Sequence, residues 1–149
     1  MKSSVGYSTQ QSTRPQTLGY GLTDSPAGQC AWIAEKFSAW TDCDGHPEKA
    51  LTKQEMLDNI SVYWFTQTAA SSARLYWESF NASHANVVEL PTGISIYPAE
   101  IYRPSRRWCE KRYADIRWFE ELDRGGHFAA FEQPESFVDQ LRGFFRLVR

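Results

Sequence analysis

Cysteine is scarce in this chain, and no cysteine pair has metal-binding or redox spacing. Only Cys30, Cys43 and Cys109 occur in 149 residues, and no two of them form a CxxC motif. An odd number of widely spaced cysteines supports neither a disulfide framework nor a zinc site. We therefore expect free thiols, no bound metal and a cytoplasmic location.

Long hydrophobic runs are also lacking. No apolar run approaches the length of about 18 residues that can span a bilayer. Residues 1–26 are polar and rich in Gln, Ser and Thr, so they do not resemble a signal peptide. The sequence predicts no membrane segment.

Neither sign of charge dominates, because 16 basic and 18 acidic residues give a net charge of −2. Without a basic face, nucleic acid and anionic membranes are disfavoured as partners. Aromatic residues are abundant, at 15% with six tryptophans. That composition suits either packed helices or an aromatic pocket for an apolar ligand, and composition alone favours packing.

The first 85 residues are predicted to form a helical segment. Residues 1–22 look irregular, although the string RPQTLGYGL could begin a short helix. In the next helix Ser25 can cap, Pro26 takes the first helical position, and three aromatic or aliphatic side chains share one face: Ile33, Phe37 and Trp40. Two further helices are predicted, one starting at a capping box formed by Thr52 and Glu55 and one over the Ala/Ser-rich string TAASSARLYWESF.

Residues 86–149 change in character. A short strand at GISIY, a helix at PSRRWCEKRY, a strand at DIRWFEEL and a closing helix at PESFVDQLRGFFRLVR together predict a parallel βαβα unit. The apolar residues expected to face inward on the closing helix are Val138, Leu141, Phe145 and Val148. Because two parallel strands rarely form a stable sheet alone, we expect the chain to be the end of a larger α/β fold.

Two side chains follow the predicted strands. Glu100 comes just after the first strand, and His127 lies on the loop after the second, between GG and FAA. Reacting groups of parallel α/β sheets lie beyond the carboxyl ends of the strands. A carboxylate beside an imidazole would make the imidazole a general base. The alternative, that His127 only fills a turn or caps a helix, stays open on these residues alone.

Four strings, in this order, carry a family resemblance: QQSTRPQTLGYGL, SARLYWES, PAEIYRPSRRW and RGGHFAAFEQPE. They resemble the C-terminal part of the α/β-hydrolase-fold epoxide hydrolases, in the microsomal-type branch. The resemblance implies that His127 activates water and that Glu100 is its charge-relay acid. It also implies that the lid tyrosines Tyr7 and Tyr76 donate hydrogen bonds to the epoxide oxygen.

The implied reaction opens a small apolar epoxide and, with water, gives a vicinal diol. A carboxylate attacks the ring while phenols donate hydrogen bonds to the developing alkoxide. The resulting ester is then hydrolysed. No metal or organic cofactor is needed. The resemblance places such activity in aromatic hydrocarbon catabolism or detoxification.

The attacking aspartate of the family stands on a nucleophile elbow, and no such motif occurs in this chain. The family's HGxP string is also absent, and seven aspartates lie outside any elbow context: Asp24, Asp42, Asp44, Asp58, Asp115, Asp123 and Asp139. The sequence thus predicts no nucleophile in this chain and suggests a truncated or split gene product. Its expected partner is an upstream hydrolase fragment or a second copy. The alternatives are an inactive remnant that binds apolar ligands and a chain that does not fold alone.

Overall fold

The structure, a computed structural model, describes residues 5–79 and 86–149. By its contacts the chain divides into two compact units. Among the described residues, the first unit comprises residues 5–35 and 53–79, and the second comprises residues 36–52 and 86–149. Residues 36–52 thus group with the C-terminal part, although the sequence placed them in the helical segment. Residue 85, where the sequence predicted the boundary, lies outside the described residues.

Two helices occupy the N-terminal region that the sequence predicted to be irregular. That prediction was wrong for the first helix, whereas the second confirms the alternative that RPQTLGYGL begins a short helix. Helix α1 spans Gly6–Thr13 and α2 spans Pro15–Asp24. Helix α1, with the sequence GYSTQQST, has almost no apolar residues, so no helical periodicity marks it. It contacts a later helix of the same unit, and this tertiary packing stabilises what propensity alone would not.

Helix α3, Pro26–Trp40, confirms the predicted start signals. The hydroxyl oxygen of Ser25 accepts a hydrogen bond from the Gly28 N–H at 3.0 Å, which satisfies one of the free donors of the first turn. Of the predicted apolar face, Phe37 and Trp40 are buried and Ile33 is half-buried. A short 3₁₀ turn, Pro47–Lys49, follows in the second unit.

Removing this cap should destabilise the protein by a modest, measurable amount. We expect Ser25→Ala to lower the free energy of unfolding by about 1 kcal/mol, because alanine cannot accept the Gly28 N–H bond. Urea-unfolding curves followed by circular dichroism give the difference. Ser25→Asp keeps an acceptor and is the matched control; equal stabilities for the alanine and aspartate variants would contradict the capping role.

The first unit is completed by α4, Lys53–Phe65, and α5, Ala69–Ser79, both as predicted. Helices α2 and α5 pack closely because small residues meet at their contact. A Cβ added to Gly19 would lie only 2.8 Å from the Cβ of Ala70. Ala69 and Ala73 are also buried. The Ala/Ser-rich composition of α5 thus serves close helix packing.

The sheet consists of β1, Val88–Ile96, and β2, Tyr113–Glu121, which pair in parallel and confirm the predicted βαβα order. In the register, Ile94 is opposite Phe119 and Ile96 is opposite Glu121. Strand β1 is longer than predicted and runs through Pro91, which lacks an N–H. The register shift between Val88 and Pro91 accommodates that missing donor.

The helix predicted over residues 104–113 is much shorter in the structure. Helix α6 spans only Arg106–Cys109. Turn hydrogen bonds follow it, and the carbonyl of Arg112 already accepts the Val88 N–H at 2.7 Å. Because the chain must return to the start of β2 at Tyr113, sheet pairing replaces the continuation of the helix.

Helix α7, Ala129–Glu132, precedes α8, Pro134–Leu147. The predicted inward face of α8 was wrong: Val138, Leu141 and Phe145 are 38%, 43% and 50% exposed, and Val148 is half-buried but lies beyond the end of the helix. Gln140 instead faces the sheet, where its Oε1 accepts hydrogen bonds from the Ser95 hydroxyl at 2.9 Å and the Trp118 Nε1 at 2.7 Å. Phe144 packs against Gly93 on the same face. Because the inward-facing side of α8 includes the polar residue Gln140, apolar periodicity does not identify it.

Within residues 5–79 and 86–149, no helix has both the length and the apolar character needed to cross a membrane. In the same part of the chain, no three His, Cys, Asp or Glu side chains gather closely enough to hold a metal ion.

Candidate active site

His127 and Glu100 meet just beyond the ends of the two parallel strands. After β1 and β2, one further parallel bridge joins Ala99 to Gly126, in which the Ala99 N–H donates to the Gly125 carbonyl at 3.0 Å. Glu100 directly follows Ala99, and His127 directly follows Gly126. Their side chains form a hydrogen bond of 2.7 Å between His127 Nδ1 and Glu100 Oε1. The predicted juxtaposition at one sheet edge is therefore present.

This hydrogen bond has a direct chemical consequence for the imidazole. Because a carboxylate only accepts, Nδ1 must carry the proton, and Nε2 of the neutral ring keeps a free lone pair. Glu100 Oε1 is itself oriented by the Ile101 N–H, which donates to it at 2.7 Å. The His127 side chain is 40% exposed. An oriented, partly exposed imidazole can take a proton from water at Nε2, and the carboxylate stabilises the imidazolium that results.

Trp40, at the end of α3, holds the backbone and ring of His127. Its carbonyl accepts the His127 N–H at 2.9 Å, and its ring lies edge-on to the imidazole with centroids 5.2 Å apart. The ring of Phe128 lies edge-on as well, at 5.1 Å. Two aromatic edges thus restrict the orientation of the imidazole.

The two glycines before the histidine are required by close approach. Gly125 has φ of +106°, where a side chain would be strained, and an added Cβ would lie 2.7 Å from Tyr97 Cδ1. An added Cβ at Gly126 would lie 2.5 Å from the Trp40 carbonyl oxygen. The GG pair lets the chain pass against both neighbours and reach the His127 position.

Two carboxylates near this loop were missed at the sequence level as part of the site. Asp42 Oδ2 accepts the Gly125 N–H at 2.9 Å, and buried Glu132 accepts the Phe128 N–H at 3.0 Å. Asp42 is about eighty residues away in sequence, so no local pattern connects it to the loop. The only available signal for Glu132 was a carboxylate ending the apolar string FAAF.

The predicted tyrosines also lie together, in the first unit. Tyr7 is on α1 and Tyr76 is on α5, and their rings are edge-to-face with centroids 5.8 Å apart. Burial, and then interaction with Tyr76 including a hydrogen bond, raises the pKa of Tyr7 to about 12. The phenol of Tyr7 therefore remains a hydrogen-bond donor throughout the neutral range.

The raised pKa of Tyr7 predicts a measurable step at high pH. Absorbance at 295 nm should show a phenolate appearing near pH 12 that is lost in Tyr7→Phe and retained in Tyr20→Phe, a control on the exposed face of α2. Between pH 10 and 12 the folded chain keeps a proton that the unfolded chain has lost, so this residue's contribution to stability is present below pH 10 and falls as pH rises. A Tyr7→Phe titration identical to that of the unsubstituted chain would refute this assignment.

Each predicted pair is thus assembled within its own unit: Tyr7 with Tyr76 in the first, His127 with Glu100 in the second. The catalytic roles of these four residues stay predictions.

No family model matches the chain. Individual proteins do match it. It is 55% identical over 145 residues to a candidate epoxide hydrolase of Stigmatella aurantiaca, covering 97% of this chain and 33% of that protein. It is 39% identical over 155 residues to epoxide hydrolase 1 of Sus scrofa, covering 96% of this chain and 34% of that protein. The chain therefore spans about a third of the length of the curated relatives it matches.

Solved structures of epoxide hydrolases also match the chain. The crystal structure of juvenile hormone epoxide hydrolase from the silkworm Bombyx mori matches with a TM-score of 0.86 and 36% identity, over 98% of this chain and 38% of that one. The epoxide hydrolase of Aspergillus niger matches with a TM-score of 0.85 and 30% identity, over 97% of this chain and 36% of that one. The two-stranded parallel sheet and its helices thus have the arrangement found in the α/β-hydrolase fold. Over nearly its whole length, the chain is homologous to the C-terminal part of α/β-hydrolase-fold epoxide hydrolases.

Proposed function

We propose that this chain provides the water-activating pair and the epoxide-polarising phenols of an epoxide hydrolase that converts apolar epoxides to vicinal diols. The observation that carries the proposal is the 2.7 Å hydrogen bond between His127 Nδ1 and Glu100 Oε1 beyond the ends of two parallel strands. Similarity to epoxide hydrolases over nearly the whole chain supports it.

Ring opening requires stabilisation of the alkoxide that forms as a carbon–oxygen bond of the epoxide breaks. Neighbouring neutral phenols are suited to this role, because each donates a hydrogen bond without needing to lose its proton first. Tyr7 and Tyr76 are adjacent, and the pKa of Tyr7, at about 12, keeps it protonated at neutral pH. We assign oxygen polarisation to this pair.

Ester hydrolysis is the second step of the proposed reaction. A carboxylate nucleophile has displaced the ring oxygen and become an ester, and water must attack the ester carbonyl. Nε2 of His127 takes the proton of that water while Glu100 stabilises the charged ring. The products are the diol and the regenerated carboxylate. Aspartate as nucleophile, a cytoplasmic location, association with another hydrolase fragment or a second copy, and a role in hydrocarbon catabolism or detoxification belong to the same proposal.

A chimera tests the function. The matching stretch of the Stigmatella aurantiaca relative is replaced by this chain, and diol formation from styrene oxide is measured by chromatography. We expect turnover within the range of the parent relative. A folded chimera that forms no diol, while the parent does, would reject the proposal; binding of styrene oxide without turnover would instead support an apolar-ligand-binding module.

A further inference from the structure

The carboxylate of Glu132 is buried, with 8% of the residue exposed, and both of its oxygens accept backbone hydrogen bonds. Oε2 accepts the N–H of Asp42 at 2.8 Å, and Oε1 accepts the N–H of Phe128 at 3.0 Å. Because the two donors come from segments far apart in sequence, this one side chain links residues 40–42, here termed the facing segment, to residues 125–128, here termed the histidine loop.

Asp42 makes the reciprocal link. Its backbone donates to Glu132, while its side-chain Oδ2 accepts the N–H of Gly125 at 2.9 Å. Together with the bond from the His127 N–H to the Trp40 carbonyl, three backbone donors of the histidine loop have an assigned acceptor. The facing segment and Glu132 supply all three acceptors.

The backbone of this loop determines where the imidazole lies. With its side chain 40% exposed, His127 is not held in place by burial, and the ring contacts of Trp40 and Phe128 are edge-on. A displacement of about 1 Å at a catalytic group can cost about 100-fold in rate. The hydrogen bonds to the loop backbone therefore constrain the direction of Nδ1 in addition to the ring contacts and the bond to Glu100.

We propose that Glu132 and Asp42 are positioning residues that fix the histidine loop and thereby aim Nδ1 of His127 at Glu100. The inference rests on the proposed water-activating role of His127 for its importance, but the geometry that it concerns exists without substrate.

The Glu132 side chain accepts two backbone N–H groups and the Asp42 side chain accepts one, so substitution by an amide has a different effect at each position. Glu132 uses both oxygens for two N–H donors, so Glu132→Gln places an amide N–H₂ against one of those donors and cannot substitute. Asp42 uses one side-chain oxygen for one donor, so Asp42→Asn keeps the hydrogen bond and Asp42→Ala loses it. Asp42 is exposed, so its variants disturb little packing.

The tautomer and hydrogen bonding of His127 provide the readout in the full 149-residue chain. The chain is labelled with ¹⁵N-histidine, two-bond ¹H–¹⁵N correlation spectra are recorded, and His127 is assigned with His127→Gln. In the unsubstituted chain and in Asp42→Asn, we expect a predominant Nδ1–H form with a slowly exchanging proton. Glu135→Gln, which changes an exposed carboxylate in α8, is the control and should give the same result. We expect loss of the Nδ1–H resonance and a mixed tautomer population in Glu132→Gln and Asp42→Ala.

An unchanged Nδ1–H resonance in Asp42→Ala, or in a folded Glu132→Gln, overturns the proposal. Loss of the resonance in Asp42→Asn as well as Asp42→Ala also overturns it, because the single acceptor is then not what matters. If Glu132→Gln does not fold by circular dichroism, the two Asp42 variants decide. A chimera without hydrolysis but with this tautomer pattern counts against the proposed function alone.

Discussion

Replacing His127 with glutamine in the chimera should reduce diol formation by about 10²- to 10⁴-fold, the contribution usual for a positioned general base. Glutamine has a similar reach but cannot take a proton from water. Ring opening depends on the phenols and the nucleophile, so it should continue and leave the enzyme as a stable ester. The expected result is a single stoichiometric burst of epoxide consumption followed by almost no turnover.

Two measurements check that result. Chromatography follows diol release, and intact-protein mass spectrometry detects the added mass of the opened epoxide. His46→Gln is the control, because His46 is an exposed loop residue outside the site. If His127→Gln stopped epoxide consumption altogether without any covalent adduct, His127 would act in ring opening or folding, and its assignment to water activation would fail.

Truncating Phe37 should have the largest effect on stability. Its side chain is only 2% exposed, and its ring packs edge-on against Phe128 with centroids 5.3 Å apart and near Phe131 at 6.3 Å. We expect Phe37→Ala to lower the free energy of unfolding by about 3–5 kcal/mol, because a buried aromatic leaves a cavity when removed. For a domain whose total stability is about 5–15 kcal/mol, that is a large share.

Urea unfolding followed by tryptophan fluorescence measures this loss. Phe65→Ala is the matched control, since Phe65 is 81% exposed at the end of α4 and should change stability by no more than about 0.5 kcal/mol. Because Phe37 contacts the residue after His127, the variant should also broaden the His127 resonances. Equal midpoints for the two phenylalanine variants would show that Phe37 does not belong to a stabilising core.

Local chemistry accounts for the features that the sequence predicted correctly. Ser25 and Pro26 predict the start of α3 because a cap and a fixed φ act within one turn. The order of strand, helix, strand and helix predicts parallel pairing, and parallel pairing places Glu100 and His127 at one edge. Each of these steps needs only residues close in sequence or a rule of topology.

The features that the sequence did not predict depend on contacts distant in sequence. Helix α1 lacks an apolar stripe and contacts α5, more than fifty residues later. Gln140 turns inward because Ser95 and Trp118 satisfy its amide. Asp42 precedes both β1 and β2 in the sequence, yet its side chain accepts the Gly125 N–H of the histidine loop. No local pattern can contain such pairings, since each exists only after the chain has folded.

The bridge between Ala99 and Gly126 also bears on how this site could evolve. Main-chain hydrogen bonds extend the strand pairing to the residues immediately before Glu100 and His127, so peptide geometry contributes to their spacing together with the acceptors of Asp42 and Glu132. Substitutions of nearby side chains other than Asp42 and Glu132 can therefore alter which molecules reach Nε2 while the base and its acid keep their separation. Such an arrangement lets selection change substrate preference and proton transfer independently of each other.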